Sequence, residues 1–168
     1  MNSVDAGAWW TPAWIGLGSN LDDPPRQLDA AIAGIAALPD TRLAAVSRRY
    51  RSAPLGPADQ PDYLNAAVSV VTRLDPLALH AALRALETRL GKRTPAVRYG
   101  PRRIDLDLLA HGEAAFDTAT LVVPHPRLHE RAFVLYPLAD IAPELWIPGR
   151  GRVSDLKAAV SNAGIAAL

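Results

Sequence analysis

Residues Val97 to Gly112 read VRYGPRRIDLDLLAHG, and this stretch sets two carboxylates where chemistry is possible. Ile104, Leu106 and Leu108 mark a strand, and Asp105 and Asp107 alternate with them. Strand residues two apart project to the same face, so both acids point one way and the aliphatic side chains the other. Parallel carboxylates repel unless a cation lies between them. A hard divalent ion resolves this, and Mg²⁺ takes one or two carboxylates together with substrate phosphate oxygens. Arg98, Arg102 and Arg103 stand just upstream, and planar guanidinium groups suit phosphate. Acids, a metal and arginines together point to nucleoside triphosphate chemistry. A strand with one wet face is the plainer alternative, and Asp-x-Asp alone does not separate the two.

Other stretches add weaker signals. Gly16 to Asn20, GLGSN, lacks both the Gly-Lys-Ser/Thr of a phosphate loop and the third glycine of a dinucleotide fingerprint; it reads as a tight turn at a strand end. His125 and His129 have the spacing of a helical metal pair, but Pro126 opposes a regular helix through both. With Arg127 and Arg131 nearby, His125 is better suited to phosphate. Tyr63 and Asn65 share a strand face, where an aromatic ring beside an amide suits a flat heterocycle. From spacing alone, that pair reads first as a sheet edge of mixed polarity, and Phe133 as core.

The elements that must position these groups follow from periodicity. Ala13–Asn20 reads as a strand entering a turn. Leu28, Ile32, Ile35 and Leu38 recur at helical spacing, between Asp-Pro and Pro39. Thr41–Ser52 reads as one strand, Ala53–Asp62 as a proline-rich loop, and Tyr63–Leu74 as another strand. Asp75 can cap a second helix, Pro76 opens it and Gly91 ends it. Its stripe is Leu79, Leu83, Leu86 and Leu90, with Glu87 at the flank rather than toward bulk solvent. A basic loop and the Asp-bearing strand follow, then a less regular region and a closing helix from about Val153. The order βαββαβ implies an α+β ferredoxin-like sandwich: an antiparallel sheet, helices on one face and an elaborated C-terminal region.

Length bounds the organisation. At 168 residues the expectation is a flexible lead over residues 1–12, containing Trp9 and Trp10, and a single domain over 13–168. With 21% charged and 49% hydrophobic residues, disorder is excluded. The formal net charge of +1 demands neither nucleic acid nor an anionic membrane. Without cysteine there is no disulfide, thiolate metal site or cysteine nucleophile. No secretory signal and no membrane-length apolar run stand out, so the expected setting is the cytoplasm.

Four ordered segments, IGLGSNLDDP, YRSAPLGPADQPDYLNAAV, YGPRRIDLDLL and VPHPRLHERAFVLYPLADIAPE, span about Ala13 to Glu144. Together they resemble the 6-hydroxymethyl-7,8-dihydropterin pyrophosphokinase family of folate biosynthesis. That resemblance implies transfer of the β,γ-diphosphate of ATP to the pterin hydroxymethyl group, leaving AMP, on a ferredoxin-like fold. It implies two Mg²⁺ ions on Asp105 and Asp107, with Arg102 beside them in catalysis. For the pterin it implies Ser52, Ala53, Leu55, Tyr63, Asn65, Tyr99 and Phe133. For ATP it implies Arg84, Glu87, Lys92, Arg102, Leu121, His125 and Arg131. Some positions depart from the family pattern: Tyr99 stands for a tryptophan, Lys92 for an arginine, Thr94 for a second loop arginine and Pro126 for a tyrosine. The expected partners are small molecules only, with no nucleic acid and no membrane, and the expected state is a monomer. An RNA-binding ferredoxin-like module is the rival reading. It lacks the aromatic RNP run, and Asp105 and Asp107 would repel phosphate from its sheet.

Overall fold

The computed structural model describes residues 9–93 and 97–168. The chain runs through β1 (Thr11–Ser19), α1 (Pro24–Ala36), β2 (Thr41–Val46), β3 (Tyr50–Ser52), β4 (Tyr63–Thr72), α2 (Pro76–Arg89) and β5 (Asp105–His111). It continues with β6 (Phe116–Asp117), β7 (Val122–Val123), a 3-10 turn (Leu128–Glu130), α3 (Ala132–Ile141), β8 (Trp146–Ile147), β9 (Gly151–Arg152), α4 (Val153–Ala159) and β10 (Ile165–Ala167). Among the described residues six strands form the main sheet in the order β10-β3-β4-β1-β5, with β2 also on β4, and every pairing is antiparallel. The element order is βαβββαβ, the expected βαββαβ with its second strand divided into β2 and β3, followed by the elaborated region.

Alternation along the strands divides the sheet into two faces. Ile15 and Leu17 of β1, Val68 and Val70 of β4 and Leu106 and Leu108 of β5 meet Leu28 and Ile35 of α1 and Leu79 and Leu83 of α2 in one buried cluster. Each such aliphatic side chain contributes about 1.5–3 kcal/mol on burial. The two helices approach closely at Gly34, where a Cβ would stand 2.5 Å from Leu86 Cδ1. Helix α2 opens as its sequence implies: the Asp75 carboxylate accepts from the Ala78 N–H at 2.8 Å, and Gly91 follows the helix at φ +87°. The elaborated region supplies α3 and α4, whose Leu135, Leu138 and Val153 form a second cluster with Trp14 and Leu109 on the opposite face.

Two boundaries differ from the sequence reading. β1 begins at Thr11 rather than Ala13, and Trp10 beside it stacks on the Arg42 guanidinium, 4.5 Å from the ring centre. Thr41–Ser52 is two strands, not one. Ser47 interrupts it: its Oγ accepts from the Ala67 N–H at 2.8 Å, so a side chain takes a ladder position. The next N–H, of Arg48, turns to the Asp140 carboxylate on α3. No helix among the described residues is long and apolar enough to cross a membrane.

Candidate active site

Register places the two acids. Asp107 pairs with Gly16 and Asp105 with Gly18, while Leu106 and Leu108 face the core. Both carboxylates thus leave the same side of β5, Asp105 with 22% and Asp107 with 45% of its side chain exposed. β4 lies on the other side of β1 with Asn65 opposite Gly18. Asn65, Gly18 and Asp105 therefore form one cross-strand row. At about 4.8 Å per strand, roughly 10 Å of sheet separates the amide from the acid.

The glycines between them are not the expected turn. Gly16 and Gly18 lie inside β1 and neither has a positive φ, so space explains them rather than backbone freedom. A Cβ on Gly18 would stand 3.4 Å from Asn65 Oδ1 and one on Gly16 3.4 Å from Leu109 Cδ2. The side-chain-free strand is the floor of a cavity of about 260 Å³. Its lining runs from Asn65 and Tyr63 at one end to Asp105 and Asp107 at the other.

All seven residues expected for the heterocycle line this cavity: Ser52, Ala53, Leu55, Tyr63, Asn65, Tyr99 and Phe133. Asn65 is oriented by β3, because its Nδ2 donates to Ser52 Oγ at 2.7 Å and to the Tyr50 carbonyl at 3.2 Å. Tyr63 donates its hydroxyl to the Gly100 carbonyl at 3.1 Å. Burial, then the neighbouring Asp105, pushes that phenol's pKa up and keeps it protonated. Phe133 enters from the first turn of α3, with the Arg131 guanidinium 5.5 Å from its ring centre.

The charged end holds Arg102, Asp105, Asp107, His125 and Arg131. Arg102 Nη1 donates to both oxygens of Asp105 at 3.2 and 3.3 Å. Burial alone would lower the Arg102 pKa, but Asp105 outweighs it and the net direction is upward. Burial depresses the pKa of His125, with Arg131 and Arg127 adding to it against Asp107. The ring is therefore neutral at pH 7. Because Nδ1 accepts from the Arg127 N–H at 3.2 Å, the proton sits on Nε2. Burial also lowers the Arg131 pKa. No carboxylate among the described residues forms an ion pair with Arg131, which leaves that cation available to an anion.

Four expected ATP contacts do not line the cavity, and three of them, Arg84, Glu87 and Lys92, lie behind the acids. Lys92 Nζ touches Asp105 Oδ1 at 2.6 Å and Glu87 Oε2 at 2.8 Å. Arg84 pairs with Glu87 at 3.0 Å, approaches Asp107 at 3.8 Å and donates to the Leu106 carbonyl. The Glu87 side chain is 3% exposed, and its oxygens serve Arg84, Lys92 and the Leu106 N–H at 2.9 Å. The fourth is Leu121. Its side chain is core, and its backbone N–H and carbonyl are both bonded to Thr118. Thr94 lies outside the described residues.

Sequence reasoning missed a clamp beneath the cavity rim. Asn20, 2% exposed, bonds through its amide Nδ2 to Gln60 Oε1 and the Pro61 carbonyl, both at 3.0 Å. Its Oδ1 accepts from the Arg102 N–H at 2.8 Å, and its own N–H donates to the Arg102 carbonyl at 3.0 Å. Gln60 continues to the Tyr99 carbonyl at 2.8 Å. One amide pair thus ties the proline-rich loop to the basic loop.

Comparison with known proteins agrees with this geometry. Residues 14–143 match the model of the family described as 7,8-dihydro-6-hydroxymethylpterin-pyrophosphokinase. The 2-amino-4-hydroxy-6-hydroxymethyldihydropteridine pyrophosphokinase of Pseudomonas aeruginosa is 48% identical over 152 residues, covering 90% of this chain and 93% of its own. The enzyme of the same name from Haemophilus influenzae is 42% identical over 144 residues, covering 86% and 89%. Among solved structures, a Plasmodium falciparum HPPK-DHPS triple mutant with SDX-DHP superposes with a TM-score of 0.71 at 14% identity, over 94% of this chain and 46% of that one. This chain spans less than half the length of those Plasmodium chains, and at such identity the likeness is one of fold. The match to the family model over most of the chain and the two bacterial relatives settle the lineage: the chain belongs to the 7,8-dihydro-6-hydroxymethylpterin-pyrophosphokinase family.

Proposed function

We propose that this chain transfers the β,γ-diphosphate of ATP to the hydroxymethyl group of 6-hydroxymethyl-7,8-dihydropterin in folate biosynthesis. The pterin oxygen attacks the β-phosphorus in line, the bond to the oxygen shared with the α-phosphate breaks, AMP leaves, and the hydroxyl proton passes to solvent. One observation carries the reading: Asn65, Gly18 and Asp105 stand in a single cross-strand row of one cavity. A pterin whose polar edge meets Asn65 then extends its hydroxymethyl arm over bare glycine toward the acids.

The chain's own groups bind and orient. Asn65 reads the heterocycle edge, and Phe133 and Tyr99 stack on its faces. Arg131 and the Nε2–H of His125 contact phosphate oxygens, and Arg102 and Lys92 add positive charge beside Asp105. Phosphoryl-type transfer draws its catalysis mainly from such positioning and electrostatics. No side chain is required as a general base.

Mg²⁺ fits the donor set. Among the described residues no group of three or more His, Cys, Asp or Glu forms a protein-only cage. Two same-facing carboxylates sharing an ion with substrate phosphate is the arrangement that Mg²⁺ favours. Two ions held by Asp105 and Asp107 would neutralise phosphate charge and polarise the transferred group. Glu87 acts from behind, by sharing Lys92 and Arg84 with the two acids and so limiting the hold of these cations on them.

The chain acts as a monomer on small molecules, with no nucleic acid or membrane partner; a net charge of +1 demands neither. ATP dependence and a cysteine-free chain suit the cytoplasm. Incubation with ATP, Mg²⁺ and the hydroxymethyl dihydropterin tests the reaction. Equal yields of AMP and pterin diphosphate are expected, and ADP or orthophosphate as the main product contradicts the assignment.

A further inference from the structure

β10 lies beyond residues 14–143, the part of the chain that matches the family model. It forms the outer edge of the main sheet, beside the three-residue strand β3. Ile165 pairs with Ser52, Ala166 with Arg51 and Ala167 with Tyr50. The ladder runs one residue further at each end: the Ala53 N–H donates to the Gly164 carbonyl at 3.1 Å and the Leu168 N–H to the Arg49 carbonyl at 3.0 Å. Without this neighbour, β3 would be a short edge strand whose only pairing within the sheet is with β4, and such edges fray.

What β3 carries makes this pairing matter. Both hydrogens of the Asn65 amide are committed to β3, at Ser52 Oγ and the Tyr50 carbonyl. Oδ1 is consequently the amide atom turned toward Gly18 and the cavity floor. An acceptor in that place suits a heterocycle edge bearing N–H and amino donors. Loss of the two β3 acceptors would free the amide to rotate and present its own donors, which is the wrong polarity.

We propose that β10 is a positioning element of the pterin site: by fixing β3 in register it holds the Asn65 amide with its acceptor toward the bound heterocycle. This rests on the assignment of that end of the cavity to the pterin. Nothing in β10 touches the cavity, so its effect passes through Ser52 and Tyr50.

The test uses full-length protein with 6-hydroxymethylpterin as a non-reactive fluorescent probe, titrated in the presence of Mg²⁺ and a non-hydrolysable ATP analogue. Ala166 is exposed, and by the alternation of an antiparallel ladder its N–H is aimed at the Arg51 carbonyl. Ala166→Pro removes that donor, whereas Ala166→Val keeps it. Ala166→Pro should weaken pterin binding on the order of tenfold, the loss of about one oriented hydrogen bond. Binding of the ATP analogue alone should stay unchanged, and Ala166→Val should match wild type. Wild-type pterin affinity in Ala166→Pro, equal losses for pterin and nucleotide, or the same loss in Ala166→Val would each overturn the proposal. A wild-type protein that fails to bind the pterin would instead overturn the site assignment beneath it. Hydrogen exchange on the unmodified protein makes the test independent of how the variant folds. Since coupling is reciprocal, saturating pterin should slow exchange at the Ala53 and Leu168 amides, and unchanged exchange there sinks the idea.

Discussion

Lys92 sits between two carboxylates, 2.6 Å from Asp105 at the cavity and 2.8 Å from the buried Glu87 behind it. Glu87 therefore governs a cation that competes for Asp105, and it also satisfies the Leu106 N–H. Glu87→Ala leaves that N–H without a partner, which costs about 1–3 kcal/mol. It also releases Lys92 and Arg84 toward the acids. The expected outcome is a lower denaturant midpoint together with weaker Mg²⁺-dependent activity. Normal stability and turnover would show that Glu87 supports neither the strand nor the cations.

Gly18 tests whether the floor must be bare. A single Cβ there meets Asn65 Oδ1 at 3.4 Å and Tyr63 Cδ1 at 3.7 Å, ordinary to close contact, with no positive φ to strain. Gly18→Ala should fold normally with a moderate loss of pterin affinity. Gly18→Val adds two methyl groups to the space between Asn65 and Asp105 and should abolish pterin binding while ATP-analogue binding persists. Calorimetric titration of both ligands against each variant separates these outcomes.

Asn20→Ala should uncouple the loops. The substitution strands the Arg102 N–H and the Gln60 side chain below the rim, at about 1–3 kcal/mol for each buried group left unpaired. Faster limited proteolysis within Ala53–Pro61 and near Tyr99 is expected, with a fall in kcat/KM for both substrates. Unaltered cleavage would mean that the Gln60–Tyr99 bond holds the loops without Asn20.

How much of this was legible depended on the range of the physical signal. The facing of Asp105 and Asp107 follows from period-two alternation within five residues, and α2 follows from Asp75, Pro76 and Gly91 at its ends. Family-like motifs carried the pterin residues, which spacing alone would have left as core or edge. Glycine has two uses, so Gly16 and Gly18 read as a turn when the register makes them a floor. Ser47 breaks the strand through a contact with Ala67, twenty residues away. The Asn20 clamp joins positions forty and eighty-two residues apart, and no local pattern encodes such a meeting. Glu87 was read correctly as turned from solvent, but the step from burial to saturation needs its three partners in view.

Asp140 gives a prediction in pH. Its carboxylate accepts from the Tyr50 hydroxyl at 2.9 Å and from the Arg48 backbone and guanidinium at 3.1–3.3 Å, which locks α3 onto the sheet beside β3. Burial raises its pKa, but the hydrogen bonds from Arg48 and Tyr50 outweigh this and the net direction is downward. A depressed carboxylate contributes stability that is present above its unfolded value, about 3.9, and is lost as pH falls through the folded value. Asp140→Asn removes the charge at every pH. The stability gap between wild type and this variant should therefore hold steady near neutrality and close as the medium is acidified below about pH 4. Urea titrations of both proteins at a series of pH values measure it. A gap that persists undiminished in acid would show that packing of the side chain, rather than its charge, fastens α3 to the sheet.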